Sequence, residues 1–288
     1  MIIVITGPTG VGKTRLSLHL AKKYNAEIIN ADSMQIYKGL DIGTAKVKNT
    51  LGIKHHLLDI VEVDEYYSVF NYQKDGRKIL DKLINENKNV IIVGGTGLYI
   101  SALLYDYKFN EEKKKIDTSI LTNEELYNQI LLLDKDTKVH INNRQRLERE
   151  LNRLLNDNEK SNDGDKLLYD TIFIGLTTDR KNLYSIIDKR VDEMIKLGLL
   201  DEVKKMYDKG IKSRSVMTGI GYKELYLYFD KKLSLEESIN LIKKNTRRYA
   251  KRQYTWFRNK MNITWFDVNF KNFNNTIKEV EKYIGEKK

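Results

Sequence analysis

The 288-residue chain has no cysteine and one proline, Pro8. The missing cysteine excludes disulfides, thiolate metal sites and a Cys nucleophile together. Histidine is scarce as well: the chain has four, and neither His140 nor the His55-His56 pair has partners at ligand spacing, so no histidine metal site is expected. No apolar run approaches the roughly 20 residues of a membrane span. The N-terminus, MIIVITGP, has neither a basic stretch nor a cleavage-site pattern, so a cytoplasmic protein is expected. With 41% hydrophobic and 32% charged residues, the composition is that of a soluble globular protein. The length suits one large α/β domain, or a domain carrying an insert.

What is present is an excess of positive charge. Lys+Arg total 51 against 40 Asp+Glu, a net charge of +11. Such a balance suits an anionic partner, or simply a lysine-rich surface kept for solubility. The distribution of the charge has to decide between them.

Ile2 to Thr6 is a short β-rich apolar run, expected as a buried parallel strand. A glycine loop follows, then a helical pattern with Leu16, Leu20 and Ala21 on one face. Glu27 to Asn30 and Asn89 to Val93 read as further buried strands, with helical spacing over Val69 to Asn87 between them. This alternation predicts an α/β fold, a P-loop parallel sheet with flanking helices. After about Tyr105 the chain turns polar, and residues 106–170 are expected to form an inserted helical subdomain with a low-complexity surface loop at Asn156 to Lys166. Residues 171–288 then complete the core begun by 1–105. Strands are expected at Thr171 to Thr177 and Ile263 to Phe266, and long helices at Asn182 to Leu197, Leu199 to Lys209 and Ser234 to Lys260.

The strongest local signal is Gly7-Pro8-Thr9-Gly10-Val11-Gly12-Lys13-Thr14, which fits G-x-x-x-x-G-K-[ST] between a strand and a helix. Its glycines turn backbone N–H groups toward phosphate oxygens, and the helix N-terminus adds positive potential. Lys13 supplies a point charge, and Thr14 can hold a magnesium ion. The motif implies a bound di- or triphosphate, not a particular reaction. P-loop kinases and ATPases usually place an acid at the end of another buried strand. Here that strand ends NVIIVGGTG, with no Asp. The second strand instead runs into Asp32-Ser33-Met34-Gln35. Asp32 can be a magnesium ligand, a general base facing an acceptor, or a simple loop or cap residue. Thr96, in Gly94-Gly95-Thr96-Gly97, sits at another strand end on the same edge, where ligands of such folds bind.

Basic residues cluster. Arg146, Arg149 and Arg153 fall along one face of a helix. Lys243 to Lys260 holds eight cations and no acid, interleaved with Tyr249, Tyr254, Trp256 and Phe257. Planar side chains beside cations suit RNA. A helix with its aromatics inward and its cations outward is the expected form.

Taken together, GPTGVGKT, NADSMQIYKGLDIGTAK, VGGTGLYI, QRLER at Gln145 to Arg149, DRKNLYSIIDKRVDEMIKLGLLDEV from Asp179, GIGYKE from Gly219 and TRRYAKRQYTWFR from Thr246 resemble the tRNA dimethylallyltransferases. The resemblance covers nearly the whole chain and is of the bacterial type, since the cysteine-based zinc finger of eukaryotic members has no counterpart. It implies dimethylallyl diphosphate as donor, magnesium as cofactor, release of pyrophosphate, and N6 of the adenosine immediately 3′ of the tRNA anticodon as acceptor. It implies that Asp32 is the general base and that Thr9 to Thr14 hold the donor. It also implies that Asp32, Ser33, Met34, Gln35 and Thr96 contact the target adenosine, while Gln145, Arg146, Leu147, Glu148 and Arg149 contact the anticodon region. Ile141 and Asn143 stand where the family usually has Pro and Asp, and Thr218 where many relatives have Arg or Gln. A prenyltransferase acting on free adenine nucleotides, a P-loop kinase and a non-catalytic RNA-binding protein are the alternatives. A monomer is expected.

Overall fold

Apolar residues on the central strands are buried whichever way they point, and this fixes the architecture. The computed structural model describes residues 1–109, 117–156 and 164–287. In chain order the elements are β1 (Ile2–Thr6), α1 (Lys13–Tyr24), β2 (Ala26–Asn30), β3 (His55–His56), α2 (Val69–Asn85), β4 (Asn89–Val93), α3 (Gly97–Leu104), α4 (Asn123–Leu133), α5 (Arg144–Leu155) and β5 (Thr171–Thr177). They continue with α6 (Arg180–Lys196), α7 (Leu199–Asp208), α8 (Arg214–Thr218), α9 (Tyr222–Phe229), α10 (Leu235–Lys260), β6 (Thr264–Asp267) and α11 (Phe273–Glu286). The strands form a six-stranded sheet in the order β3-β2-β4-β1-β5-β6, and every pairing is parallel. The expected α/β parallel fold is therefore present.

Along β1, Ile2 and Val4 join one core with residues of α2, α3 and α7, while Ile3 and Ile5 join a second core with α1, α6 and α11. Helices on both faces explain why the strand is apolar throughout rather than alternating. β3 has two residues, too few for a periodic signal; its His56 pairs with Glu27 of β2 at 2.6 Å. His55 is bonded to the Ile53 carbonyl, and burial lowers its pKa. His140 lies in an exposed turn, where its Nδ1 accepts from the Asn142 N–H. Each of these three histidines thus has a structural partner.

The chain divides into two units, Met1–Tyr105 with Leu167–Lys288, and Asp106–Lys166. The second contains α4 and α5, packed through Leu126, Ile130, Leu147 and Leu151. Asn143 caps α5 by accepting from the Arg146 N–H, so Asn at this position still does what an Asp would. Of the low-complexity stretch Asn156 to Lys166, residues 157–163 lie outside the described ones. No helix among the described residues is long and apolar enough to cross a membrane.

α10 opens on a Ser234/Glu237 capping box and runs 26 residues. It lies against the loop after β4 so closely that a Cβ at Gly95 would strike the Gln253 amide, and one at Gly97 the Trp256 indole. These glycines are therefore demanded by packing. At Gly97, the first residue of α3, alanine would gain up to about 1 kcal/mol of helix propensity. The clash with a ring in a packed site costs about 1–3 kcal/mol. Gly97→Ala should therefore lower the unfolding free energy measured in urea, and an unchanged or raised midpoint would show that Trp256 yields freely.

Candidate active site

β1, β4 and β2 are neighbours, so the loops leaving their carboxyl ends meet. Hydrogen bonds stitch them together. Thr6 Oγ1 donates to the Gly94 carbonyl at 3.1 Å, and the Ala31 carbonyl accepts from the Thr96 N–H at 3.1 Å. Thr96 Oγ1 accepts from the Ser33 N–H at 3.0 Å and lies 3.3 Å from Ser33 Oγ. Over this edge lies a cavity of about 620 Å³.

One wall is the glycine loop. Gly7, at φ 134°, presses on the Leu176 backbone of β5, and Val11 is fully buried, so these two shape the loop from behind. Thr9, Gly10, Gly12, Lys13 and Thr14 line the cavity. Gly12 is the N-cap of α1 at φ 93° and provides no side-chain cap, leaving the first-turn N–H groups available to an anion. Lys13 Nζ donates to the carbonyls of Gly7 at 2.9 Å and Pro8 at 2.7 Å, folding back under the loop.

A second cation faces Lys13. The α6 face at i, i+3, i+4 and i+7 presents Ile187, Arg190, Val191 and Met194 to the cavity. Burial and the repulsion of Arg190 push the Lys13 pKa down to about 7, against the attraction of Asp32. Burial also lowers Arg190, again opposed by Asp32. Arg190 was not among the expected site residues, although a cation interrupting the apolar Leu183, Ile187, Val191 stripe is visible in the sequence. Leu199, Ile220 and Ile242 extend the apolar lining.

The third wall holds Asp32. The buried Asn30 side chain fixes its backbone, accepting from the Asp32 N–H at 3.1 Å and donating to the Asp32 and Leu57 carbonyls. Asp32 Oδ1 accepts from the Met34 N–H at 3.0 Å. Its other oxygen has no hydrogen bond among the described residues. Ser33, Met34 and Gln35 line the cavity beside it; Thr96 stands behind Ser33. From α10, Tyr249, Arg252 and Gln253 reach the same cavity. Burial and the nearby Asp32 charge push the Tyr249 hydroxyl up to about 12, so it is a neutral donor at pH 7. Gln253 donates to the Gly95 carbonyl at 2.9 Å.

The basic run of α10 divides. Arg247 pairs with Asp188, and Lys243 with Asp192 at 2.6 Å, so two of its cations clamp α6. Lys244, Arg248, Lys251 and Arg252 are exposed. In the other unit, Gln145, Arg146 and Arg149 are exposed, but Leu147 is core and Glu148 pairs with Arg144 at 2.6 Å. Of Gln145 to Arg149, all expected to contact RNA, Leu147 is corrected to a core residue by its burial. Arg153, expected on the same face, is occupied by Glu150 at 2.7 Å.

An anion cradle, an adjoining apolar wall and a carboxylate on one cavity suit a P-loop transferase whose ligand joins an apolar group to phosphates. Comparison with known proteins names the family. The sequence profile described as IPP transferase matches residues 35–260. The chain is 44% identical to the tRNA dimethylallyltransferase of Anoxybacillus flavithermus (strain DSM 21510 / WK1) over 98% of its own length and 96% of the relative's. Solved structures agree. The tRNA isopentenylpyrophosphate transferase of Bacillus halodurans superposes with TM-score 0.78 at 39% identity, over 99% of this chain and 96% of that one. The corresponding Staphylococcus epidermidis structure gives 0.77 at 38% identity, over 100% and 99%. The chain belongs to the tRNA dimethylallyltransferase family of prenyltransferases.

The lowered Lys13 pKa has two consequences. Its charged form opposes folding at low pH, and that penalty fades as pH rises above about 7 toward the ordinary lysine value. A diphosphate seated against Lys13 would restore the charge. Diphosphate binding at pH 8 should therefore take up close to one proton, and affinity should fall as pH rises, by up to about tenfold per unit. Titration calorimetry in buffers of different ionisation enthalpy reads the uptake, and Lys13→Met should abolish it. A binding enthalpy independent of buffer would show that Lys13 is charged before the ligand arrives.

Proposed function

We propose that the chain transfers a dimethylallyl group from dimethylallyl diphosphate to N6 of the adenosine immediately 3′ of the anticodon in tRNAs, releasing pyrophosphate. The observation that carries this reading is a cavity in which Lys13 and Arg190, which repel each other, an apolar helix face and the Asp32 carboxylate adjoin.

The glycine loop, Lys13 and Arg190 take the diphosphate, and Ile187, Val191 and Met194 take the five-carbon chain. The N6 lone pair forms the new C–N bond as the allylic C–O bond breaks, and the departing oxygen keeps the bonding electrons. N–H groups and cations already aimed at that oxygen stabilise the charge it gains. An exocyclic adenine amine is a weak nucleophile because its lone pair is delocalised. Asp32 accepts its proton through Oδ2, the oxygen with no hydrogen bond among the described residues. Ser33, Met34 and Gln35 flank the base, and Thr96 fixes Ser33. Magnesium suits the hard oxygens on hand: the Thr14 hydroxyl would hold it together with donor phosphate oxygens, adding charge neutralisation at the leaving group. The described residues contain no cluster of three acids or histidines that would bind a metal alone.

The target base lies in a stacked anticodon loop and has to leave it to enter a cavity. Gln145, Arg146 and Arg149 of the insert, and the Lys244, Arg248, Lys251 face of α10, supply cations for the anticodon stem-loop. A monomer in the cytoplasm meets these requirements.

Transfer from labelled dimethylallyl diphosphate, with unmodified tRNA and free AMP as parallel acceptors, tests the reading. Label in tRNA beside the anticodon is expected. Label in AMP alone would move the chain to the nucleotide prenyltransferases and leave the basic faces without a role. Asp32→Ala should bind tRNA nearly normally but lose turnover by roughly 10²–10⁴, the usual cost of removing a general base. Wild-type turnover would sink that role. Replacing Arg146 and Arg149 with alanine should weaken tRNA binding and flatten its salt dependence by up to about 0.9 in log–log slope per lost phosphate contact. An unchanged slope in a filter-binding series would remove the insert from the RNA interface.

A further inference from the structure

We infer that Glu202, on α7, is a positioning residue for the acceptor site, acting through the 41–44 loop on Gln35. Three consecutive backbone N–H groups converge on its carboxylate: Oε2 accepts from Ile42 at 2.7 Å and Asp41 at 3.2 Å, and Oε1 from Gly43 at 3.1 Å. Tyr222 adds its hydroxyl to Oε1 at 2.6 Å. Successive N–H groups turned into one concavity favour an anion over a neutral group.

The loop held in this way forms part of the cavity wall. Gly43, Thr44 and Ala45 line it, and the Thr44 carbonyl accepts from Gln35 Nε2 at 3.0 Å. Gln35 is one of the groups proposed to meet the target adenosine, so this inference rests on that reading. With its amide nitrogen bound to Thr44, Gln35 has its direction set by the loop, and the loop has its position set by Glu202. Tyr222 adds a steric constraint: a Cβ on Gly43 would sit 2.6 Å from the Tyr222 ring, so the loop approaches α9 as closely as glycine permits. Beyond the loop, Lys46 holds the chain from the other side through the Tyr37 carbonyl, Asp41 and Asp59. Glu202 is therefore one of two anchors, and it is the one adjoining the stretch that touches Gln35.

Glu202→Gln keeps the size of the side chain but turns an NH₂ donor toward N–H donors. Charged hydrogen bonds of this kind are worth about tenfold or more in an equilibrium when lost. The experiment is a double-mutant cycle of E202Q and Q35A, with KM measured separately for tRNA and for dimethylallyl diphosphate. E202Q should raise the tRNA KM about tenfold and leave the donor KM within about twofold. In the Q35A background E202Q should add little, because a residue acting through another is non-additive with it. Y222F, which removes one hydroxyl from the same carboxylate, should show the same pattern at smaller size, and it serves where E202Q does not fold. If Q35A impairs tRNA use but the two effects multiply, or if the donor KM rises in step, Glu202 does not act through Gln35 and the inference falls alone. If Q35A leaves the tRNA KM unchanged, the acceptor reading of Gln35 falls and takes this inference with it.

Discussion

Two cations that repel each other are held on one cavity by the fold, and most of the site follows from that constraint. Lys13 is fixed by the turn between β1 and α1, and Arg190 by the packing of α6 against the sheet. Asp188 and Asp192, two residues either side of Arg190, lie on the other face of α6 and pair with cations of α10, Asp188 with Arg247 and Asp192 with Lys243. Arg190 faces the cavity, where Asp32 and Glu193 act on its charge. Part of the basic run between Lys243 and Lys260 thus ties α10 to α6.

α10 carries the acceptor side in a similar way. Its aromatic and amide residues lie against the Gly95-Thr96-Gly97 turn, whose two glycines admit Gln253 and Trp256. That turn presents Thr96 to Ser33, which adjoins Asp32. The glycines after β4 therefore differ in purpose from those after β1. The first set makes room for a helix, and the second exposes backbone N–H groups to a ligand. Both sets lie on the same sheet edge, with one cavity between the elements they serve.

The strands and the phosphate loop were legible because their signals are local: apolar runs of five to seven residues and a glycine pattern between strand and helix. The long helices were legible from periodicity, with ends within about two residues of those observed, as fraying and capping allow. What escaped depends on contacts distant in sequence. β3 is two residues held by register with β2. α8 and α9 are short, and an apolar pattern of five or eight residues carries no period. Arg190 was hidden because one cation on a charge-rich helix reads as a solvated residue until the packing of α6 turns it to the cavity. Leu147 was misplaced for the converse reason. A motif resemblance carries a whole segment, whereas helix geometry gives its faces different tasks, and one apolar residue among four polar ones belongs to the insert's core.

The same electrostatics bear on the order of events in the proposed reaction. Asp32 attracts both Lys13 and Arg190, and Glu193 also acts on Arg190. A bound diphosphate would bring more negative charge to those cations than one carboxylate can. With it in place, Asp32 would be relieved of part of that attraction and would be open to the incoming amine. In that reading donor binding would prepare the base as well as the leaving group, and the departure of pyrophosphate would return the cations to Asp32. The loop after β2 that carries Asp32 and the glycine loop after β1 share one sheet edge and one cavity, which is the arrangement such an exchange needs.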